Sequence, residues 1–230
     1  MLDFENGPTL EAWHIAWGQL RSAAPSDGLG ALLPNVRGAA TCSIQTELLA
    51  SRALSSIPLL VASARQIDVA ASLTASIPLI GAGPGLTPSW DDFLIGYICG
   101  LRATAATSWK RARFLARFGE AVRDASTVTS AVSRSYIQRA VAGHGPEWIE
   151  DALAAIAAGD SGRTVRTTAR ALRIGNTSGS DMMLGVILGS STWQTSTETA
   201  EVLAALSFRR CEHLPMRNRH AHPAAMHRPG

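Results

Sequence analysis

Residues 83–100 read GPGLTPSWDDFLIGYICG, and residues 175–189 read GNTSGSDMMLGVILG. Ser89, Asp92, Gly96 and Gly100 of the first stretch recur at identical spacing as Ser178, Asp181, Gly185 and Gly189 of the second. Each copy is a glycine-bearing loop with hydroxyls that runs into an apolar segment whose first turn carries a carboxylate. Such hydroxyls mark a helix start, and acids in the first turn suit the positive end of the helix dipole. The glycines that follow each aspartate at one-turn intervals fall on a single stripe of the helix. A stripe of that kind lets another helix approach closely. The pattern predicts two loop–helix units packed through these glycines, with both loops facing one cleft.

Outward from these units the chain reads as helix almost everywhere. It is rich in alanine and leucine and poor in alternating β-branched runs. Helices are expected near 10–24, 45–55, 59–77, 89–106, 108–125, 130–143, 146–158, 162–173, 179–190 and 197–207, with a break at Pro58. Gly28 to Thr41 reads as loop, and the stretch 36–43 leaves room for short N-terminal strands. The expected fold is mainly α: a single helical domain over 1–207 holding two pseudo-repeated loop–helix motifs, followed by a basic, disordered tail over 208–230.

Bulk properties exclude several function classes. The net charge is +3, but residues 208–230 hold five arginines against Glu212, which leaves the body at −1. A near-neutral body without interleaved aromatic and basic residues argues against nucleic acid as a partner. Lys110 is the single lysine, so no phosphate loop ending in GKS or GKT exists and a Schiff-base lysine is not expected. The longest apolar run, Phe93 to Leu101, is nine residues, whereas a membrane span needs roughly twenty. The N-terminus lacks the basic and apolar regions of a signal peptide. Cys42, Cys99 and Cys211 form no CxxC pair and read as reduced thiols of a cytoplasmic protein. Four of the six histidines lie in the tail, and no Ser-His-Asp or metal-ligand spacing is present.

The paired loops are where chemistry is expected. Gly83, Gly85 and Leu86 would turn backbone N–H groups toward a ligand, and Thr87 and Ser89 would add hydroxyls. Asn176, Thr177 and Ser178 supply an amide and hydroxyls from the second copy. Helix starts of this kind cradle small anions. Asp91, Asp92 and Asp181 would act as the catalytic carboxylates, orienting substrate amides or accepting protons. No cofactor is expected; magnesium held by the carboxylates through water is the alternative. A third cluster, Thr129, Ser130 and Ser133, would line the same cleft. Plain helix capping by Ser89 and Ser178 is the competing explanation for both serines.

These residues resemble a known family. GAGPGLTPSWDD is similar to the LIGLGPGLTPSGDDFLxG signature of AllH-type proteins, long known only as a domain of unknown function. Thr129, Ser130 and Ser133 are similar to that family's TTxIS segment, and GNTSGSDMMLG to its GHTSGxDxLxG segment. Together they cover about residues 78–190. The resemblance implies a subunit of a multi-subunit oxamate carbamoyltransferase of allantoin breakdown, which exchanges a carbamoyl group between oxalurate and phosphate. It implies as partners a small anionic metabolite and either fellow subunits or further copies of this chain. A non-catalytic scaffold or ligand-sensing subunit is the other role it allows. Trp90 stands where the family usually has glycine and is expected to crowd the turn between Ser89 and Asp91. Asn176 replaces a common histidine. Most of the family's N-terminal region, expected to be β-rich, has no counterpart ahead of Trp13, which implies a short member.

Overall fold

The computed structural model describes residues 1–33, 43–105, 108–194 and 196–207. The expected tail over 208–230 and nearly all of the expected strand region lie outside the described residues. Among those described there are ten α-helices and no strand: α1 Gly7–Ala23, α2 Ile44–Arg65, α3 Val69–Ser76, α4 Ser89–Ala105, α5 Trp109–Ala125, α6 Ala131–Val141, α7 Glu147–Ala157, α8 Ser161–Ala171, α9 Ser178–Ser191 and α10 Ser196–Ala205.

α4 and α9 form the most extensive helix pair and the centre of the fold. Every residue from Pro88 to Leu101 and from Gly179 to Trp193 is buried, so both helices are enclosed on all sides. The four glycines make the pairing. A Cβ at Gly96 would overlap the Met182 carbonyl, and one at Gly185 the Phe93 carbonyl. A Cβ at Gly100 would fall 2.6 Å from the Val186 carbonyl oxygen, and one at Gly189 would overlap that of Tyr97. Residue numbers rise together along the two helices, so the pair is parallel and both N-termini emerge at the same end. The remaining helices wrap this pair: α1 with α7 and α8, α2 with α3, and α5 with α6.

Polar side chains tie the shell to the centre. The Trp13 indole N–H donates to Ser190 Oγ at 3.1 Å, and that of Trp193 to the Ala64 carbonyl at 2.9 Å. Tyr97 Oη and Thr192 Oγ1 lie 3.2 Å apart. The expected break at Pro58 does not occur. α2 continues through it because Leu49, Ala53, Ile57, Leu60 and Ala64 form one buried stripe on both sides of the proline, and that burial outweighs one missing backbone bond. The break falls later, at Gln66–Asp68, where the Asp68 carboxylate accepts from the Ala71 amide at 3.0 Å and opens α3. By length and composition α2 would pass for a membrane span, with mean hydropathy 1.2; one face of it is core, and the other carries Gln45, Arg52 and Ser55 together with exposed Ile44, Leu48 and Leu59.

Candidate functional site

Because α4 and α9 are parallel, their leading loops meet. Thr87 Oγ1 lies 2.9 Å from Ser178 Oγ, which locks one motif to the other. The serines are crossed. The Ser178 hydroxyl stands beside Asp92, and the Ser89 hydroxyl beside Asp181. Neither serine caps its own helix, since the helices begin at Ser89 and Ser178 themselves. The Asp92 amide donates to the Pro88 carbonyl at 3.1 Å and the Asp181 amide to the Thr177 carbonyl at 2.9 Å.

Ser89, Asp92 and Asp181 are fully buried. Ser89 Oγ, both carboxylate oxygens of Asp92 and Asp181 Oδ2 hold no hydrogen bond of regular geometry. Asp181 Oδ1 alone is satisfied, by the Leu29 amide at 2.8 Å. Among the described residues no ion pair involves either acid. Burial pushes the Asp92 carboxyl up to about 8, against the stabilising hydroxyls of Ser178 and Thr87 and reinforced by the charge of Asp181. Burial likewise pushes Asp181 up to about 7, opposed by Ser89, the Leu29 amide and Thr177. At neutral pH Asp92 is therefore mostly protonated and Asp181 partly so, and each can give a proton up or take one back.

The third wall comes from residues that read as plain loop in the sequence. Gly28 takes φ +61, and a Cβ there would lie 2.8 Å from both Asp181 Oδ2 and Ser89 Oγ. A 3₁₀ turn follows over Gly28–Leu32, and its Leu29 amide holds Asp181. Thr46 of α2 donates to Asp27 Oδ1, one residue before this glycine. The Asp27-Gly28 pair was the available signal. It marks a turn, but nothing in its spacing connects it to the two motifs.

The other expected residues separate into distinct roles. Asp91 points away from the cluster and is satisfied on both oxygens: it accepts from the Gly81 amide at 2.8 Å, the Thr129 hydroxyl at 2.5 Å and the Ser133 hydroxyl at 2.7 Å. Ser130 caps α6 through the Ser133 amide and donates to the Leu86 carbonyl. The third cluster thus clamps the 81–87 loop from behind. Gly83 takes φ +118, and a Cβ would sit 2.6 Å from the Ser89 nitrogen. Gly85, Leu86 and Asn176 form the exposed lip, and Thr177 is buried below it. Trp90 does not crowd the turn. Its ring is buried against Phe93, with centroids 5.0 Å apart, and its N–H donates to the Ser76 carbonyl at 3.0 Å. Arg134 spends its guanidinium on the Ser126 and Thr127 carbonyls. Among the described residues no group of three His, Cys, Asp or Glu side chains is placed to hold a metal ion.

Residues 79–190 match the family model described as oxamate carbamoyltransferase subunit AllH. This segment belongs to the AllH family. The match holds α4, α9 and all three polar clusters of the site, while the Gly28 wall lies outside it. No curated protein and no solved structure matches the chain.

Proposed function

We propose that this chain is a subunit of an oxamate carbamoyltransferase-type system, and that the cleft between its paired loops binds a small anion that also carries an amide. The observation behind this reading is the set of buried oxygens without a hydrogen bond of regular geometry: Ser89 Oγ, both of Asp92 and Asp181 Oδ2. Leaving such groups unsatisfied costs about 1–3 kcal/mol each, which a ligand with N–H donors would recover. Beside Asp181, which is partly ionised at neutral pH, an anionic oxygen would be repelled. The ligand's charged end belongs instead at the lip, among the backbone N–H groups of Gly83, Gly85 and Leu86, the hydroxyls of Thr87 and Thr177, and the two helix N-termini. Oxamate, oxalurate and carbamoyl phosphate all combine an –NH₂ with an anionic group.

The chemistry follows from that orientation. When carbamoyl passes from oxalurate to phosphate, a phosphate oxygen attacks the carbamoyl carbon, the carbon–nitrogen bond to oxamate breaks, and the departing nitrogen takes a proton. Asp92, protonated near neutrality and buried beside the amide end, supplies that proton as general acid. Asp181 holds the remaining N–H groups, and Asp91 positions the loop without touching substrate. Phosphate is itself the nucleophile in this transfer, so the contribution of the site is orientation and proton transfer.

The test compares ligands that differ only in their donors. Oxamate should raise the melting temperature of the chain, as any ligand of the native state does, while oxalate, which lacks N–H, should raise it far less. Asp92→Asn and Asp181→Asn should each remove the oxamate shift without unfolding the protein. Equal shifts from oxamate and oxalate would sink the amide orientation. A shift that appears only with Mg²⁺ and vanishes with EDTA would replace it with a metal site.

A further inference from the structure

We infer that the groove between the start of α3 and the first half of α5 is a docking site for an acidic segment of a partner subunit that carries one large apolar anchor. The groove is a cavity of about 230 Å³ lined by Ile67, Val69, Trp109, Lys110, Arg113, Phe114 and Arg117. Its floor is core: Phe114 is 1% exposed. Its rim is open, with Trp109 at 69% exposure and the Lys110 ammonium 6.0 Å from the Trp109 ring centre. Small-molecule pockets are usually larger; this volume suits a single bulky side chain.

Charge identifies the partner's chemistry. Lys110, Arg113 and Arg117 stand on one side of the groove, no acid lines it, and none of the three is in an ion pair among the described residues. The position of Lys110 is also unfavourable to the free chain. It stands in the first turn of α5, which contains no acid, and a cation there opposes the helix dipole. A local conflict of this kind marks a surface kept for something other than stability. The opposite wall repeats the point. Ile67 is the one described non-glycine residue at positive φ, with φ 60, a costly conformation for a β-branched side chain. Glycine or asparagine would hold this turn at less strain, but neither would present an apolar wall to the cavity.

The alternatives for filling the groove fit less well. The chain's own C-terminal residues 208–230 carry five arginines against one glutamate and would be repelled. A flat lipid surface cannot enter a concavity with a recessed apolar floor. The groove also leaves the catalytic cleft free. It begins where α4 ends, and the helix runs from Ser89 to Ala105, which puts roughly 20 Å between that end and Asp92. The choice of a fellow subunit as occupant rests on the function proposed above.

Lys110 makes the test specific, because it is the single lysine. The full chain is mixed with the other subunits of the carbamoyltransferase system and treated with a zero-length carbodiimide. The expected product joins Lys110 to an Asp or Glu of a partner subunit, identified by mass spectrometry. Lys110→Arg should abolish that crosslink and leave co-elution intact. Arg113→Glu with Arg117→Glu should weaken association at least tenfold, and high salt should weaken it in the unaltered chain. The oxamate-induced thermal shift should survive both changes, so failure of the docking site and failure of the catalytic cleft are told apart. Absence of a complex, an unaffected charge-reversed variant, a Lys110 crosslink only to a second copy of this chain, or equally Arg-dependent binding to phosphatidylglycerol vesicles would each overturn the proposal.

Discussion

Two adjacent aspartates in one helical turn have opposite fates. Asp91 is saturated by an amide and two hydroxyls, whereas Asp92 is buried with only the Ser178 and Thr87 hydroxyls beside it and no hydrogen bond of regular geometry. Asp91→Ala should therefore destabilise by about 1–3 kcal/mol, because it strands buried donors. Asp92→Asn should cost little and stabilise at alkaline pH. The sign follows from linkage. Asp92 and Asp181 are raised from 3.8 to about 8 and about 7, so between about pH 4 and 8 the folded state binds more protons than the unfolded one. Their contribution is complete below the unfolded value and is lost as pH rises through 7 and 8. The melting temperature should fall over this range in the unaltered chain and fall less in Asp92→Asn. A flat profile in both would mean that neither acid is protonated at neutral pH. Trp90 belongs to the same scale. Trp90→Gly should cost about 3–5 kcal/mol in denaturant titration by opening a cavity in the core, rather than restoring a freer turn.

At the scale of elements, the parallel pairing of α4 and α9 makes the site. Each glycine in the seam faces a backbone carbonyl of the other helix, and a backbone cannot swing aside as a side chain can. Gly96→Ala or Gly185→Ala should destabilise by about 1–3 kcal/mol. For a chain of this size that is roughly 2–4 °C of melting temperature per kcal/mol. Because the change also parts Asp92 from Asp181, oxamate binding should weaken by more than the stability loss alone accounts for. A variant that melts earlier yet binds oxamate unchanged would show that the two acids do not act together. The helix boundaries and the seam were legible in the sequence, since capping residues, glycine spacing and apolar runs are local signals. The survival of α2 through Pro58 was not, because it depends on a buried stripe contributed by distant partners.

For the whole molecule, α4 and α9 form the buried centre, with the carboxylate cluster at their N-terminal end and the α3–α5 groove near the opposite one. Amide hydrogen exchange should be slowest across 93–101 and 182–191, which are buried throughout, and faster in the exposed lip at 85–86. Oxamate should protect the lip and the Leu29 amide, which already bonds Asp181. Protection confined to the lip would place the ligand outside the acid cluster.

By itself the sequence determined the helical class, the doubled loop–helix unit and the glycine seam, because each is encoded in spacing along one segment. It also marked Asp92, Asp181, Ser89 and Ser178 as related positions. Only the tertiary structure decided what they do. The parallel packing crosses each serine to the other motif's acid, sends Asp91 outward to clamp its loop, and brings Gly28 and Leu29 against Asp181 from a distant part of the chain. Burial sets the protonation of the two acids, and burial is a property of three-dimensional surroundings that linear spacing does not carry.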